Sequence, residues 1–209
     1  MKPKVFIVVL AAAVLFLTGC AENTARPSEA ALPSSSSAFP SSYMIEQENH
    51  FDYQPGLECS AFASAYLLRH YGEEASGLEL FENFPGKISD GSGVYPQGIV
   101  TFFSDHGYNA EFTTADSVDD LKMLVSQGDP VIVFIHADEP YTNPHYTHYV
   151  PVVGYDEDYI YFAESLDYKA NCREEEGLCY NRKTPIDEFE RLWANVEGMY
   201  EKPYFLISE

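Results

Sequence analysis

The sequence predicts an α+β domain over residues 43–209, with helices in its first half and an antiparallel sheet in its second. Three observations carry this. Residues 59–71 keep Phe62, Tyr66, Leu67 and Leu68 at helical spacing before a glycine stop at 72. Residues 131–136 are an apolar run of strand length. Residues 147–155 and 159–163 are two strand-like runs around Asp156-Glu157-Asp158, which reads as a hairpin. Helices followed by an antiparallel sheet is an α+β layering, and it leaves a cleft between two halves.

The remaining elements follow from local signals. Residues 78–84 form a short helix stopped by Pro85, and the glycines at 91 and 93 mark a loop. Residues 96–106 form a helix, with proline in its first turn and Gly107 beyond its end. Residues 108–113 alternate as a strand. Ser117 caps a helix that runs to about residue 127, with Asp119 and Asp120 in the first turn where they complement the dipole. Gly128-Asp129-Pro130 breaks it. Residues 185–194 give a last helix and 204–208 a last strand.

Ahead of this domain the chain reads as an address and a tether. Lys2 and Lys4 precede thirteen uninterrupted apolar residues, 5–17, too few for the roughly 20 that a membrane-spanning helix needs. They suit the core of a signal peptide, residues 1–19. The run ends in Leu17-Thr18-Gly19-Cys20, which resembles the bacterial lipobox. That resemblance implies cleavage before Cys20, lipidation of its sulfur, and a protein anchored in the cell envelope on the outer face of a bacterial membrane. Residues 20–42 are rich in Ser, Pro and Ala and bury too little to order themselves, so they read as a flexible tether.

Composition narrows the function. Twelve basic residues stand against 33 acidic ones, a formal charge of −21. A chain so acidic lacks the basic footprint of a nucleic-acid binder. The surplus charge reads as keeping an exported domain soluble, with attraction of cationic peptides as the alternative. Cys172 and Cys179 flank a short loop, and in an oxidising exterior a disulfide is the expectation, with free thiols or a metal pair as alternatives. His136, Asp138, Glu139, His145 and His148 crowd a short span, but Pro140 and Pro144 interrupt it and the spacing matches no zinc pattern. No metal or cofactor is expected. His70 and His106 fall at predicted helix C-termini, where a structural role is expected.

The chemistry-bearing residues are Cys59 at the mouth of the first helix, His148 in the first strand of the hairpin, and Glu164 just after the second. A thiol is a strong nucleophile only as thiolate, and a helix N-terminus and a nearby imidazolium are two of the groups that favour that form.

Aligned together, Gln54-Pro-Gly-Leu-Glu-Cys59, Gly72, His148-Tyr-Val-Pro-Val-Val-Gly-Tyr-Asp and Glu164 resemble the papain-like cysteine peptidases that process bacteriocin leaders at a double glycine, in a stand-alone form. The resemblance covers most of residues 50–165. It implies a papain-like fold with Cys59 as nucleophile, His148 as base, Glu164 as the acid that orients it, and Gln54 as an oxyanion donor. Three positions depart from the pattern: Ser60 where glycine is usual, Ser165 where proline is common, and Glu164 in place of Asp or Asn. Asp167 and Asp156 are the substitute acids. The function expected is an exported thiol hydrolase acting on a peptide or protein substrate. Two other readings stay open: a catalytically inactive binding module, and a thiol acyltransferase of transglutaminase type.

Overall fold

A computed structural model describes residues 39–91, 93–138, 146–172 and 178–209. The expected signal peptide, Cys20 and most of the tether lie outside the described residues, as do Glu139 and His145. Helix α1 (Cys59–His70) is buried along its whole length except at Arg69. A helix covered on every side belongs in an interior. Here α2 (Gly77–Glu82) packs on one side of it and strand β4 (Thr147–Tyr155) on another. The α1–α2 approach requires glycine at 77, because a Cβ there would lie 2.5 Å from the Phe62 ring. Helix α3 (Pro96–Asp105) opens on its proline and gives way at Gly107, whose φ of +90° is a glycine conformation. Helix α4 (Val118–Val125) is capped by Ser117 as expected, and Asp120 at N3 returns the bond to complete a capping box.

The other strands are β1 (Tyr43–Met44), β2 (Asn109–Thr114), β3 (Val131–His136), β5 (Tyr159–Phe162), β6 (Arg182–Pro185) and β7 (Pro203–Ser208). The last helix, α5 (Ile186–Trp193), follows β6 directly. The sheet is antiparallel at every pairing, in the order β2-β7-β3-β4-β5-β6. β1 pairs with Gly154 and Tyr155 of β4, past the point where β3 leaves off at Val152.

The core lies on both faces of this sheet. Ile132 and Phe134 of β3, with Tyr149 and Val153 of β4, join α1 and α3. Val131, Val133 and Ile135, with Val150 and Val152, meet Leu121, Phe189 and Trp193 from α4 and α5. Two-sided burial explains why 131–136 carries no polar alternation. Trp193 is fully buried, and its indole N–H donates to the Pro203 carbonyl at 2.7 Å.

The structure differs from the sequence reading at four places. Order begins earlier than residue 43: Phe39 packs edge-on to Tyr155 at 6.0 Å, and the Tyr155 hydroxyl donates to the Pro40 carbonyl at 3.0 Å. β1 is too short to leave a pattern. β6 carries Arg-Lys-Thr-Pro, which has no apolar alternation to betray a strand. The fourth is the expected disulfide. Cys172 and Cys179 are both thiols, and their neighbours differ. The Cys172 S–H donates to Asn171 Oδ1 at 3.3 Å, and that carboxamide is held by both backbone groups of Lys183 in β6. Cys179 instead interacts electrostatically with Tyr66 of α1.

Candidate active site

Cys59 occupies the first position of α1 and is nearly buried, at 9 % exposure. Glu58 is its N-cap residue. The Glu58 carbonyl accepts the Ala61 and Phe62 N–H groups, while its carboxylate turns back to the Gly56 N–H at 2.8 Å. The first turn therefore keeps the partial positive charge of a helix start close to the thiol.

Opposite stands His148, near the start of β4 and paired across the sheet with Ile135. Its Nε2–H donates to Glu164 Oε1 at 2.7 Å, with both side chains almost completely buried. An ionised carboxylate accepts only, so this bond places the proton on Nε2 and leaves Nδ1 for the second partner. Cys59 lines the same cavity as His148, and its side chain interacts with the ring. Burial alone would drive His148 toward its neutral form. The Glu164 charge, the hydrogen bonds to Cys59 and Glu164, and the Cys59 charge outweigh it and raise its pKa above the ordinary histidine value.

Glu164 is held from every side. Oε1 also accepts the Leu166 N–H at 2.7 Å, and Oε2 accepts Arg182 from β6 at 2.7 Å. Its backbone is clamped by one carboxamide: Asn181 Oδ1 accepts the Glu164 N–H at 2.7 Å, and Asn181 Nδ2 donates to the Glu164 carbonyl at 2.8 Å. Burial pushes the Glu164 pKa up. His148, Arg182 and the Leu166 N–H overcome this and hold it well below the usual carboxylate range. The extra methylene of glutamate thus lets one carboxylate reach a histidine on β4 and an arginine on β6.

These shifts set a pH dependence. A depressed Glu164 contributes stability that is complete above its unfolded value of 4.5 and is lost as pH falls toward its folded value. A raised His148 contributes stability that is complete below its unfolded value of 6.5 and is lost as pH rises through its folded value. The pair therefore stabilises most between those two values. Urea midpoints measured across pH should fall on both sides of that window, and more shallowly in a His148→Ala, Glu164→Ala double variant.

Gln54, in the loop before α1, completes the group. Its carboxamide lines a cavity of about 50 Å³ together with Leu57, Cys59, Tyr146, Thr147, His148 and Leu166. That is space for one or two waters or a reacting carbonyl group. All four residues singled out in the sequence thus meet at one place. Asp156 does not join them; it closes the β4–β5 turn by accepting the Asp158 and Tyr159 N–H groups. His70 pairs with Asp129 at 3.1 Å, and His106 bonds to the Phe102 carbonyl, both structural contacts. Among the described residues no three His, Cys, Asp or Glu side chains converge as metal ligands. Sequence reasoning missed Asn181 and Arg182. They act through long-range contacts, and no local pattern marks them.

Comparison with solved structures finds the same architecture elsewhere. A C39-like peptidase from Bacillus anthracis superposes with a TM-score of 0.59 at 18 % identity, over 80 % of this chain and 98 % of that one. A cysteine protease from Carica candamarcensis, solved with E-64, gives 0.55 at 14 % over 81 % and 99 %. A double-glycine-motif protease from a transporter, solved with its leader peptide, gives 0.50 at 14 % over 76 % and 90 %. The fold is that of a papain-like cysteine protease. No curated protein sequence matches the chain. Residues 43–199 match the Peptidase_C39 like family, and the chain belongs to that family.

Proposed function

We propose that this chain is an exported, lipid-anchored thiol hydrolase that cleaves peptide or related amide bonds, with Cys59 as nucleophile. The observation that carries the reading is the buried His148–Glu164 pair at the cavity that Cys59 and His148 line together. Cys59 gives its proton to His148 Nδ1, and the thiolate attacks the amide carbonyl carbon. The oxyanion is met by the Gln54 carboxamide and the Cys59 backbone N–H, each such donor contributing about 3 kcal/mol in other hydrolases. His148 returns the proton to the leaving amine as the carbon–nitrogen bond breaks. It then takes a proton from water, which hydrolyses the thioester and frees the thiol. Glu164 holds the Nε2–H throughout, so the ring neither rotates nor changes tautomer.

The inactive-module reading rested on glutamate at 164 and on the acidic surface; the Glu164–His148 bond at 2.7 Å speaks against the first of these. Anchoring rests on Gly19-Cys20 after the apolar run. Among the described residues no helix is long and apolar enough to cross a membrane.

The test is iodoacetamide alkylation of Cys59 against pH, on protein beginning after Cys20, with the modified residue located by mass spectrometry. Fast alkylation is expected well below the ~8.5 of a free thiol, and its loss in His148→Ala. Alkylation that is slow and rises only near the free-thiol value would overturn the hydrolase reading. Amine incorporation at a peptide glutamine would move it to acyl transfer. For the anchor, labelled palmitate should enter the full chain in a bacterial host and not a Cys20→Ala variant.

A further inference from the structure

The hydrolase reading needs Gln54 to present N–H, not C=O, to the oxyanion. A carboxamide has no intrinsic preference, because its terminal torsion is broad and roughly two-fold. Something must choose. One side is settled by the Gly56 carbonyl, which only accepts: Gln54 Nε2 donates to it at 2.7 Å. With that end fixed, the other is anchored by Ser165, whose hydroxyl donates to Gln54 Oε1 at 2.7 Å. The same two residues are joined again through the backbone, where the Gln54 N–H donates to the Ser165 carbonyl at 2.9 Å. Ser165 is buried, so this bond has little competition from water. With one carboxamide N–H on Gly56, the second is left for the cavity that Gln54 shares with Cys59 and His148.

We propose that Ser165 is a positioning residue for catalysis, anchoring the Gln54 carboxamide so that its free N–H stays on the oxyanion. It rests on the hydrolase reading and extends it. The neighbouring residues give it company: Glu164 orients His148, and the Leu166 N–H caps Glu164. One tripeptide at the end of β5 therefore aims the base and the oxyanion donor together. Without the Ser165 hydroxyl, Gln54 Oε1 loses its donor and the carboxamide is held by the Gly56 carbonyl alone. It then swings on that one bond, and its free N–H no longer stays on the oxyanion.

Two reagents separate this role from thiolate formation. With p-nitrophenyl acetate the Cys59 thiolate attacks the ester carbonyl, a carbon–sulfur bond forms, an oxyanion develops, and p-nitrophenolate leaves. With iodoacetamide a carbon–sulfur bond forms as iodide departs, and no oxyanion arises. Ser165→Ala should slow acylation about tenfold, a fraction of the 10²–10³ that loss of a whole oxyanion donor costs. Alkylation should stay within about twofold of wild type, which also shows that the fold and the Cys59–His148 pair are intact. Ser165→Thr, which keeps the hydroxyl, should restore acylation, and Ser165→Ala should add nothing in a Gln54→Ala background. Unchanged acylation, a parallel loss with both reagents, or additive effects in the double variant would overturn the proposal while leaving the hydrolase reading in place. If wild-type Cys59 reacts with neither reagent faster than free cysteine, both fall together.

Discussion

Replacing Glu164 by glutamine should slow Cys59 alkylation at pH 6 by about 10²-fold, the loss of thiolate when a thiol returns toward the free value of ~8.5. The two oxygens of Glu164 face different company. Oε1 receives His148 Nε2–H and the Leu166 N–H, and Oε2 receives Arg182. An amide has one acceptor and one donor end, so either orientation sets N–H against N–H. The charged guanidinium takes the acceptor end more strongly than a neutral donor does. The amide N–H then points at His148 Nε2 and forces the ring proton onto Nδ1, the position that must receive the Cys59 proton. Glu164→Asp keeps the charge but shortens the reach, and should fall between the two. Alkylation of Glu164→Gln within tenfold of wild type would show that the carboxylate does not control the tautomer.

Arg182→Ala should lower stability by about 3–5 kcal/mol, the cost of removing one partner from a buried ion pair. For a domain of this size that is a fall in Tm of about 10 °C or more. Arg182 is 4 % exposed, bonds to Glu164 at 2.7 Å and to Thr184 Oγ1 at 3.2 Å, and lies over the Phe162 ring at 5.1 Å. Its removal leaves a buried carboxylate with His148 as its sole charged partner among the described residues. Acid unfolding should then begin at a higher pH, because the Glu164 value drifts back up. Arg182→Lys should recover part of the loss and not all, since an ammonium cannot form the same planar fork or stack on Phe162. Thermal unfolding of the three proteins at pH 6, followed by circular dichroism, measures this. Equal midpoints would mean the ion pair contributes nothing net.

The residues at the chemical centre were legible because each sits inside a strong local pattern. Cys59 opens a helix whose apolar spacing is unmistakable, and His148 lies in a β-rich run followed by a charged turn. β3 was legible to the residue, since six residues buried on both faces are all large and mostly branched. What supports the centre was not. Arg182 is a charged residue in a strand of four, and its burial depends on a glutamate eighteen residues earlier. Asn181 spends both ends of its carboxamide on the backbone of Glu164, a pairing no periodicity reports. The Cys172–Cys179 spacing likewise says how far apart two thiols are in sequence, and nothing of where they point. Local chemistry shows which groups could react; long-range folding decides which are held.

β6 ends the sheet, with β5 as its only strand partner among the described residues. Edge segments of this kind open by local fluctuation at a lower free energy than the centre of a fold. Yet this strand carries the guanidinium that braces the acid behind the base. On the proposed mechanism, catalytic competence is therefore tied to the fraying of a margin rather than to the melting of the whole. On warming, the protein should fall silent while its helices are still intact, and regain its activity on cooling as the last strand zips back. A peptidase built this way has a reversible thermal fuse.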